Sequence, residues 1–175
     1  MCIEEILRVL PAPALPLQST GSSWDEIESQ IGSVLPDDYK QFVTYYGSGR
    51  IDNLLWIFNP FASNKHINFV KQIEVRLEAL RFLIEKRSEH PYPLFPNTGG
   101  LLPFGGTDNG DTLYWLTEGL ANNWHIVINE ARGPEYQRFK CGLGVLLPRI
   151  LRRKDRCYIF PKSFPSNTLV FESKG

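Results

Sequence analysis

The stretch WDEIESQIGSVLPDDYKQFVTYYGSGR, residues 24–50, decides the fold, because it predicts two short helices that meet at a corner. Ser23 and Glu26 have the spacing of a capping box, in which each side chain accepts the other residue's backbone N–H. The first helix is therefore expected to begin at Trp24. Gly32 suits the left-handed conformation that ends many helices, so we expect the first helix to end there.

The second half of the same stretch has the features of another helix. Pro36 suits its first position, because the N–H group that proline lacks would have no helical partner there. Asp37 and Asp38 place negative charge at the positive end of the helix, and Gly47 is expected to end it. The apolar face between these ends consists of Tyr39, Phe42, Val43 and Tyr46. A corner with this much aromatic mass needs a second layer, and a later sheet is the natural candidate.

The rest of the chain predicts one long helix and an antiparallel sheet. Apolar residues recur every three or four positions across residues 66–87, which predicts a surface helix. Asn109-Gly110 separates two apolar stretches, and this pair favours a two-residue type I′ hairpin. Strands are predicted at Ile51–Phe58, Leu101–Thr107, Thr112–Thr117, His125–Asn129 and Tyr136–Phe139. The predicted class is α+β, an antiparallel meander with an Asn-Gly hairpin packed against the N-terminal helices and the long helix.

The two ends of the chain carry weaker patterns. Residues 1–22 are expected to form an N-terminal extension with a proline-rich linker, and residues 23–175 a single domain. Ile3–Leu10 predicts a short helix that docks on the chain's own body or, alternatively, contacts a partner. Near the other end, residues 142–151 predict a helix that Pro148 should bend or shorten. Two short strands are predicted after it, at residues 157–160 and 169–171.

Two blocks of residues, in this order along the chain, resemble the signature of a known family. The first block consists of Trp24, Ile27, Glu28, Gly32, Leu35, Pro36, Asp38, Tyr39, Phe42, Tyr46, Gly47, Ser48 and Gly49. The second block consists of Leu101, Leu102, Pro103, Phe104, Gly105, Asn109, Gly110, Asp111 and Trp115. The chain thus resembles the SMI1/KNR4 family, also called the SUKH superfamily, over roughly residues 22–150.

This resemblance implies a fold and a class of function. The residues of both blocks would be structural, at turns and in the core. The resemblance implies a non-catalytic protein-binding module without cofactor or metal. Bacterial members commonly act as immunity proteins that bind and neutralise a cognate polymorphic toxin, often a nuclease. Eukaryotic relatives are associated with cell-wall synthesis signalling, so a regulatory scaffold of SMI1/KNR4 type is the alternative.

Composition argues against several other classes. The 175 residues contain 19 basic and 19 acidic side chains, so no bulk charge favours nucleic acid, a membrane or an acidic substrate. No apolar run approaches the ~20 residues that span a bilayer. The N-terminal stretch has two early acids and no charged leader, so no signal peptide is predicted and we expect a cytoplasmic protein.

The sequence offers little for catalysis or metal binding. The three cysteines are far apart and the three histidines are isolated, which argues against a disulfide framework and a zinc site. Asp108 and Asp111 flank the Asn-Gly turn and are the residues of a third alternative, a small hydrolase. Hydrogen bonds that stabilise the turn are the simpler interpretation of both. As a calcium loop, the stretch that starts at Asp108 has Gly119 at its twelfth position in place of glutamate.

Charge placement indicates one candidate surface for a protein partner. Five acidic residues lie between Trp24 and Tyr39 with no basic residue among them: Asp25, Glu26, Glu28, Asp37 and Asp38. They are either acids that suit helix starts or a face that pairs with a basic, nucleic-acid-binding toxin. The basic run Arg149–Arg156 suits a helix end and lacks the interleaved aromatic residues of an RNA-binding surface. The expected partner is a protein, with no direct contact to nucleic acid or membrane.

Overall fold

The computed structural model describes residues 3–17, 21–86, 90–131 and 133–175. The helices are α1 Ile3–Leu7, α2 Trp24–Ile31, α3 Asp37–Tyr46, α4 Phe69–Lys86 and α5 Leu143–Leu151. The strands are β1 Gly49–Ile51, β2 Leu55–Ile57, β3 Leu101–Thr107, β4 Thr112–Leu116, β5 His125–Asn129, β6 Tyr136–Phe139 and β7 Phe171–Ser173. The end predicted for the long helix, Arg87, lies outside the described residues.

The strands form one antiparallel sheet in the order β6-β5-β4-β3-β2-β1-β7. Strands β1 to β6 follow one another as a meander, and β7 returns to pair with β1 at the edge. Because side chains alternate along a strand, Leu113 and Trp115 face one layer, whereas Tyr114 and Leu116 face the other. The predicted α+β fold is confirmed.

The corner helices form largely as the sequence predicts. Glu26 N–H donates to Ser23 Oγ at 3.3 Å and Ser23 N–H donates to Glu26 Oε2 at 2.9 Å, which completes the capping box. Gly32 ends α2 with a φ of +72°. The position predicted for Pro36 was wrong by one residue. Its ψ of 137° is extended, so helical geometry begins at Asp37 and Pro36 is the residue before the helix.

The corner packs on the sheet through stacked aromatic rings. Trp115 is fully buried and stacks on Phe104 with ring centroids 4.2 Å apart. Tyr39 meets Trp115 edge to face at 5.0 Å, a favoured geometry for aromatic pairs. The Tyr39 hydroxyl donates to the C=O of Phe58 at 2.6 Å, so the buried polar end of the ring is satisfied.

Helix α4 begins in the main core at Phe69, and its later turns cover the opposite face of the sheet. Leu80 packs there with Tyr114 and Val127 in a second, smaller core. Arg76 Nη1 donates to Thr112 Oγ1 at 2.7 Å, which ties the helix to the start of β4. This arrangement confirms that the long helix lies on a core.

Both tight turns of the sheet differ from the prediction. Residues 51–58 contain the end of β1, a turn and β2 instead of one strand, because Asp52 and Asn53 adopt positive φ and reverse the chain. The Asn-Gly turn was predicted to have positive φ at both residues, but among these two only Gly110 has it. The loop contains three residues, closed by Thr107 N–H donating to the C=O of Asp111 at 3.0 Å.

The two ends of the chain pack against the body. Ile6 and Leu10 are fully buried, and the Tyr46 hydroxyl donates to the C=O of Leu10 at 2.5 Å, so the first helix docks on the chain itself. Helix α5 continues past Pro148 to Leu151. The strand predicted at residues 157–160 is absent. The strand predicted at residues 169–171 is present as β7, but it begins two residues later, at Phe171. The division of the chain at residue 22 stays a prediction.

Substitution of two glycines separates the cost of positive φ from the cost of lost space. Gly47 has a φ of +66°, and a Cβ there would lie 2.5 Å from the backbone oxygen of Leu17. Gly32 has a φ of +72° with open space around it. We expect Gly32→Ala to lower the free energy of unfolding by roughly 1 kcal/mol and Gly47→Ala by about 3 kcal/mol. Urea denaturation measures both values, and equal losses would contradict the close contact.

Candidate functional site

An aromatic contact joins the starts of α2 and α3, and acidic residues occupy the first turn of each helix. The rings of Trp24 and Tyr39 meet edge to face with centroids 5.8 Å apart. Asp25 and Glu26 follow Trp24 directly, and Asp37 begins the turn that contains Tyr39. All three acids are exposed, and within the described part of the chain none forms an ion pair.

The other two predicted acids have internal roles. Glu28 accepts the N–H of Leu35 at 2.8 Å and pairs with Lys40 at 2.5 Å, which ties α2 to α3. Asp38 accepts the N–H of Gly144 at 2.9 Å in the first turn of α5. We therefore restrict the candidate surface to the three exposed acids.

Asp38 caps α5 from another helix. The residue before α5 is Gly142, which has no side chain to accept the orphan N–H groups of the first turn. A Cβ on Gly142 would lie 2.7 Å from Asp38 Oδ2, so the glycine leaves room for the carboxylate. Burial raises the pKa of the Asp38 carboxyl, and the backbone N–H groups of Gly144, Tyr39 and Leu143 oppose that rise.

A polar loop that carries one exposed leucine is fixed beside Asp37. Asp37 N–H donates to Asn122 Oδ1 at 2.8 Å, and Asn122 Nδ2 donates to Asp37 Oδ2 at 2.8 Å. This pair holds the loop that carries Leu120, whose exposed fraction is 76%. Val34, in the connection between α2 and α3, is also exposed. We name these residues the helix-start surface: Asp25, Glu26, Val34, Asp37 and Leu120. The sequence analysis did not identify Leu120. The signal that could have indicated it is a single leucine among the mostly polar residues of a loop.

Asp108 belongs to a charged cluster that sequence reasoning missed. Arg50 donates to Asp108 and to Glu172, each at 2.8 Å, and its guanidinium lies 5.8 Å from the ring centre of Trp56. Trp56 Nε1 also donates to Asp108, at 2.6 Å. The cluster joins strands β1, β2 and β7 to the β3–β4 turn. Asp108 therefore stabilises the edge of the sheet through contacts within the chain.

Asp111 has a different set of partners. It is buried, and it accepts the Thr107 hydroxyl at 2.7 Å and the N–H of Ala131 at 3.1 Å. The two aspartates thus stabilise separate contacts of the turn, which supports the turn interpretation over the hydrolase. Among the described residues no group of three or more histidine, cysteine, aspartate or glutamate side chains is placed to hold a metal ion.

Arg149 and Arg152 of the basic run are paired with carboxylates of the same chain. Arg149 forms a two-pronged pair with Asp155 at 2.7 and 2.8 Å, and Arg152 Nη1 donates to Glu5 at 2.7 Å. Both pairs support the interpretation of this run as a helix end. Cys157 is a buried free thiol, and burial raises its pKa to about 11, which makes it a poor nucleophile.

The fold and the comparison with known families together define the class of this protein. The fold is an α+β domain with exposed acidic residues at the starts of two helices. The SUKH_6 family, described as SMI1-KNR4 cell-wall, matches residues 22–142, so the chain belongs to the SMI1/KNR4 family. No curated protein and no solved structure matches the chain. No described helix is long and apolar enough to cross a membrane.

The Asp38 cap gives a pH-dependent prediction. A raised pKa means that the native state binds more protons than the unfolded state, so the stability that Asp38 contributes falls as pH rises through that pKa. Asp38→Asn keeps an oxygen for Gly144 without the buried charge, and we expect it to be at least as stable as wild type at pH 7. Asp38→Ala removes the cap and should cost about 1 kcal/mol.

Urea denaturation between pH 4 and pH 7 measures both effects. The stability difference between Asp38→Asn and wild type should shrink towards pH 4, where protonation removes the buried charge from the wild-type protein. An Asp38→Asn variant that is less stable than wild type at pH 7, and less stable by a similar amount at pH 4, would show that the pKa is lowered instead, because a lowered pKa keeps the wild-type carboxylate charged at pH 4.

Proposed function

We propose that this protein is a non-catalytic, cytoplasmic immunity protein that binds a cognate polymorphic toxin and occludes the toxin's active site. The observation that carries the proposal is the helix-start surface in a member of the SMI1/KNR4 family. This surface consists of three exposed carboxylates without ion partners in the described chain and of two exposed apolar side chains. A nuclease is the class of toxin that this surface fits best.

Charge complementarity supports a nuclease. An enzyme that cleaves nucleic acid binds phosphate groups with lysine and arginine, so its active site attracts carboxylates. Asp25, Glu26 and Asp37 offer such groups at the starts of two helices that are joined by the Trp24–Tyr39 contact, although the chain as a whole has balanced charge. Opposite charges at an interface raise the association rate more than they raise the lifetime of the complex.

The apolar residues have the complementary role. Charged side chains on an interface rim contribute little, whereas a buried apolar contact at its centre slows dissociation. Leu120 is suited to this contact, because the Asp37–Asn122 pair fixes its loop before the partner binds. A fixed loop loses less conformational entropy on binding.

The helix-start surface predicts separate effects on the two rate constants. The triple variant Asp25→Asn, Glu26→Gln and Asp37→Asn removes three charges while amides replace the carboxylates in the cap and in the Asn122 pair. We expect its association rate with the cognate toxin to fall about tenfold at low salt, with a weaker dependence on salt. Leu120→Ala should raise the dissociation rate instead. Surface plasmon resonance with the toxin encoded beside the gene measures both constants.

A matched control removes three exposed charges elsewhere. Glu74, Glu78 and Glu85 lie on the outer part of α4, and changing all three to glutamine alters net charge equally. If both triple variants slow association to the same extent, net charge is responsible and the helix-start surface is not the binding site. If the wild-type protein neither binds that toxin nor rescues growth in its presence, the proposed immunity function is wrong.

The description of the family also names the cell wall, which favours a regulatory scaffold as the second candidate. A scaffold would bind proteins without protecting a cell from a toxin. Growth rescue on co-expression with the toxin therefore separates the two functions, whereas binding alone does not.

A further inference from the structure

A second candidate site lies outside the residues that the family matches. A cavity of about 260 Å³ opens between the end of α5 and the segment that follows it. Its apolar lining includes Ile150, Cys157 and Phe160, all buried. Phe164 adds an aromatic ring whose centre is 5.4 Å from that of Phe160, in an edge-to-face arrangement.

The same cavity has a cationic rim. Arg153, Arg156 and Lys162 line it, and in the described chain none of them forms an ion pair with a carboxylate. Arg153 Nη2 donates only to neutral oxygens, the C=O of Pro165 at 2.6 Å and Asn167 Oδ1 at 3.2 Å. These contacts orient its guanidinium and leave its charge uncompensated.

The one carboxylate in the lining does not neutralise this rim. The two carboxylate oxygens of Asp155 accept hydrogen bonds from Nε and Nη2 of Arg149, and Arg149 does not line the cavity. Arg156 lies 5.4 Å from the ring centre of Tyr158, a contact with an aromatic face and no countercharge. The cavity thus combines an apolar floor with an excess of positive charge at its mouth.

We propose that this cavity binds a carboxylate carried on a single aromatic or short apolar group. The volume is slightly below the ~300 Å³ at which pockets for drug-sized ligands begin, so one ring fits better than two. The apolar group occupies the floor, and the carboxylate lies among the three cations, where an arginine fork matches its planar shape. Such a group comes either from a free small acid or from the C-terminal phenylalanine of a peptide.

The test is a titration of the ¹⁵N-labelled full chain, followed by amide chemical shifts. The probes are 3-phenylpropionate, its neutral counterpart 3-phenylpropan-1-ol, and acetyl-Gly-Gly-Phe with a free or an amidated C-terminus. We expect saturable shifts at residues 150–165 with the acids, at millimolar concentrations, and binding at least tenfold weaker with the alcohol and the amide. Saturation by the free acid alone assigns a small-molecule ligand, and saturation by the peptide acid alone assigns a peptide terminus.

Two sets of variants complete the test. Arg156→Gln with Lys162→Gln removes two exposed rim charges and should weaken binding of the acids at least tenfold, with the spectrum outside the cavity unchanged. Lys154→Gln is the matched control, since Lys154 is exposed in the same turn but does not line the cavity. The proposal is wrong if neither acid gives saturable shifts, or if the acid and the alcohol bind equally well. It is also wrong if the Lys154 control weakens binding as much as the Arg156 and Lys162 double variant does. None of these outcomes affects toxin binding by the helix-start surface.

Discussion

The contact between Tyr39 and Trp115 is the interaction on which the rest of this structure depends. Tyr39 belongs to the corner helices and Trp115 to the centre of the sheet, so their edge-to-face packing at 5.0 Å joins the two layers. Both rings are fully buried. Removing either ring would leave a cavity and cost about 3–5 kcal/mol, a large fraction of the stability of a domain this size.

The same packing determines what the surface presents. Tyr39 also contacts Trp24, so the rings that close the core hold the starts of α2 and α3 together. Acidic residues favour helix starts for local electrostatic reasons. Two helix starts joined by this aromatic contact therefore both carry carboxylates, without any overall negative charge. In this way a surface suited to a basic partner arises from the constraints that build the fold.

Local patterns in the sequence predicted the features that depend on neighbouring residues. The capping box at Ser23, the end of α2 at Gly32 and the periodicity of α4 are of this kind, and all three are present. Features that join distant residues were not predictable. Arg50 meets Asp108 and Glu172 across 58 and 122 residues, and no pattern within either stretch indicates the pairing. The predicted turn type at Asn109 was wrong for a related reason. The number of residues in the loop depends on the register between β3 and β4, which local sequence does not determine.

The segment after residue 142 belongs to the same body as the part that the family matches. Asp38, inside the match, caps α5, which lies beyond it. Leu146, Leu147 and Ile150 of α5 are buried in the main core, and β7 completes the sheet beside β1. Because the Asp38 cap, the core and the sheet edge all cross residue 142, we expect the two segments to unfold together. A ligand that binds near Arg153 should therefore stabilise both segments against unfolding by the free energy of its binding to the native state.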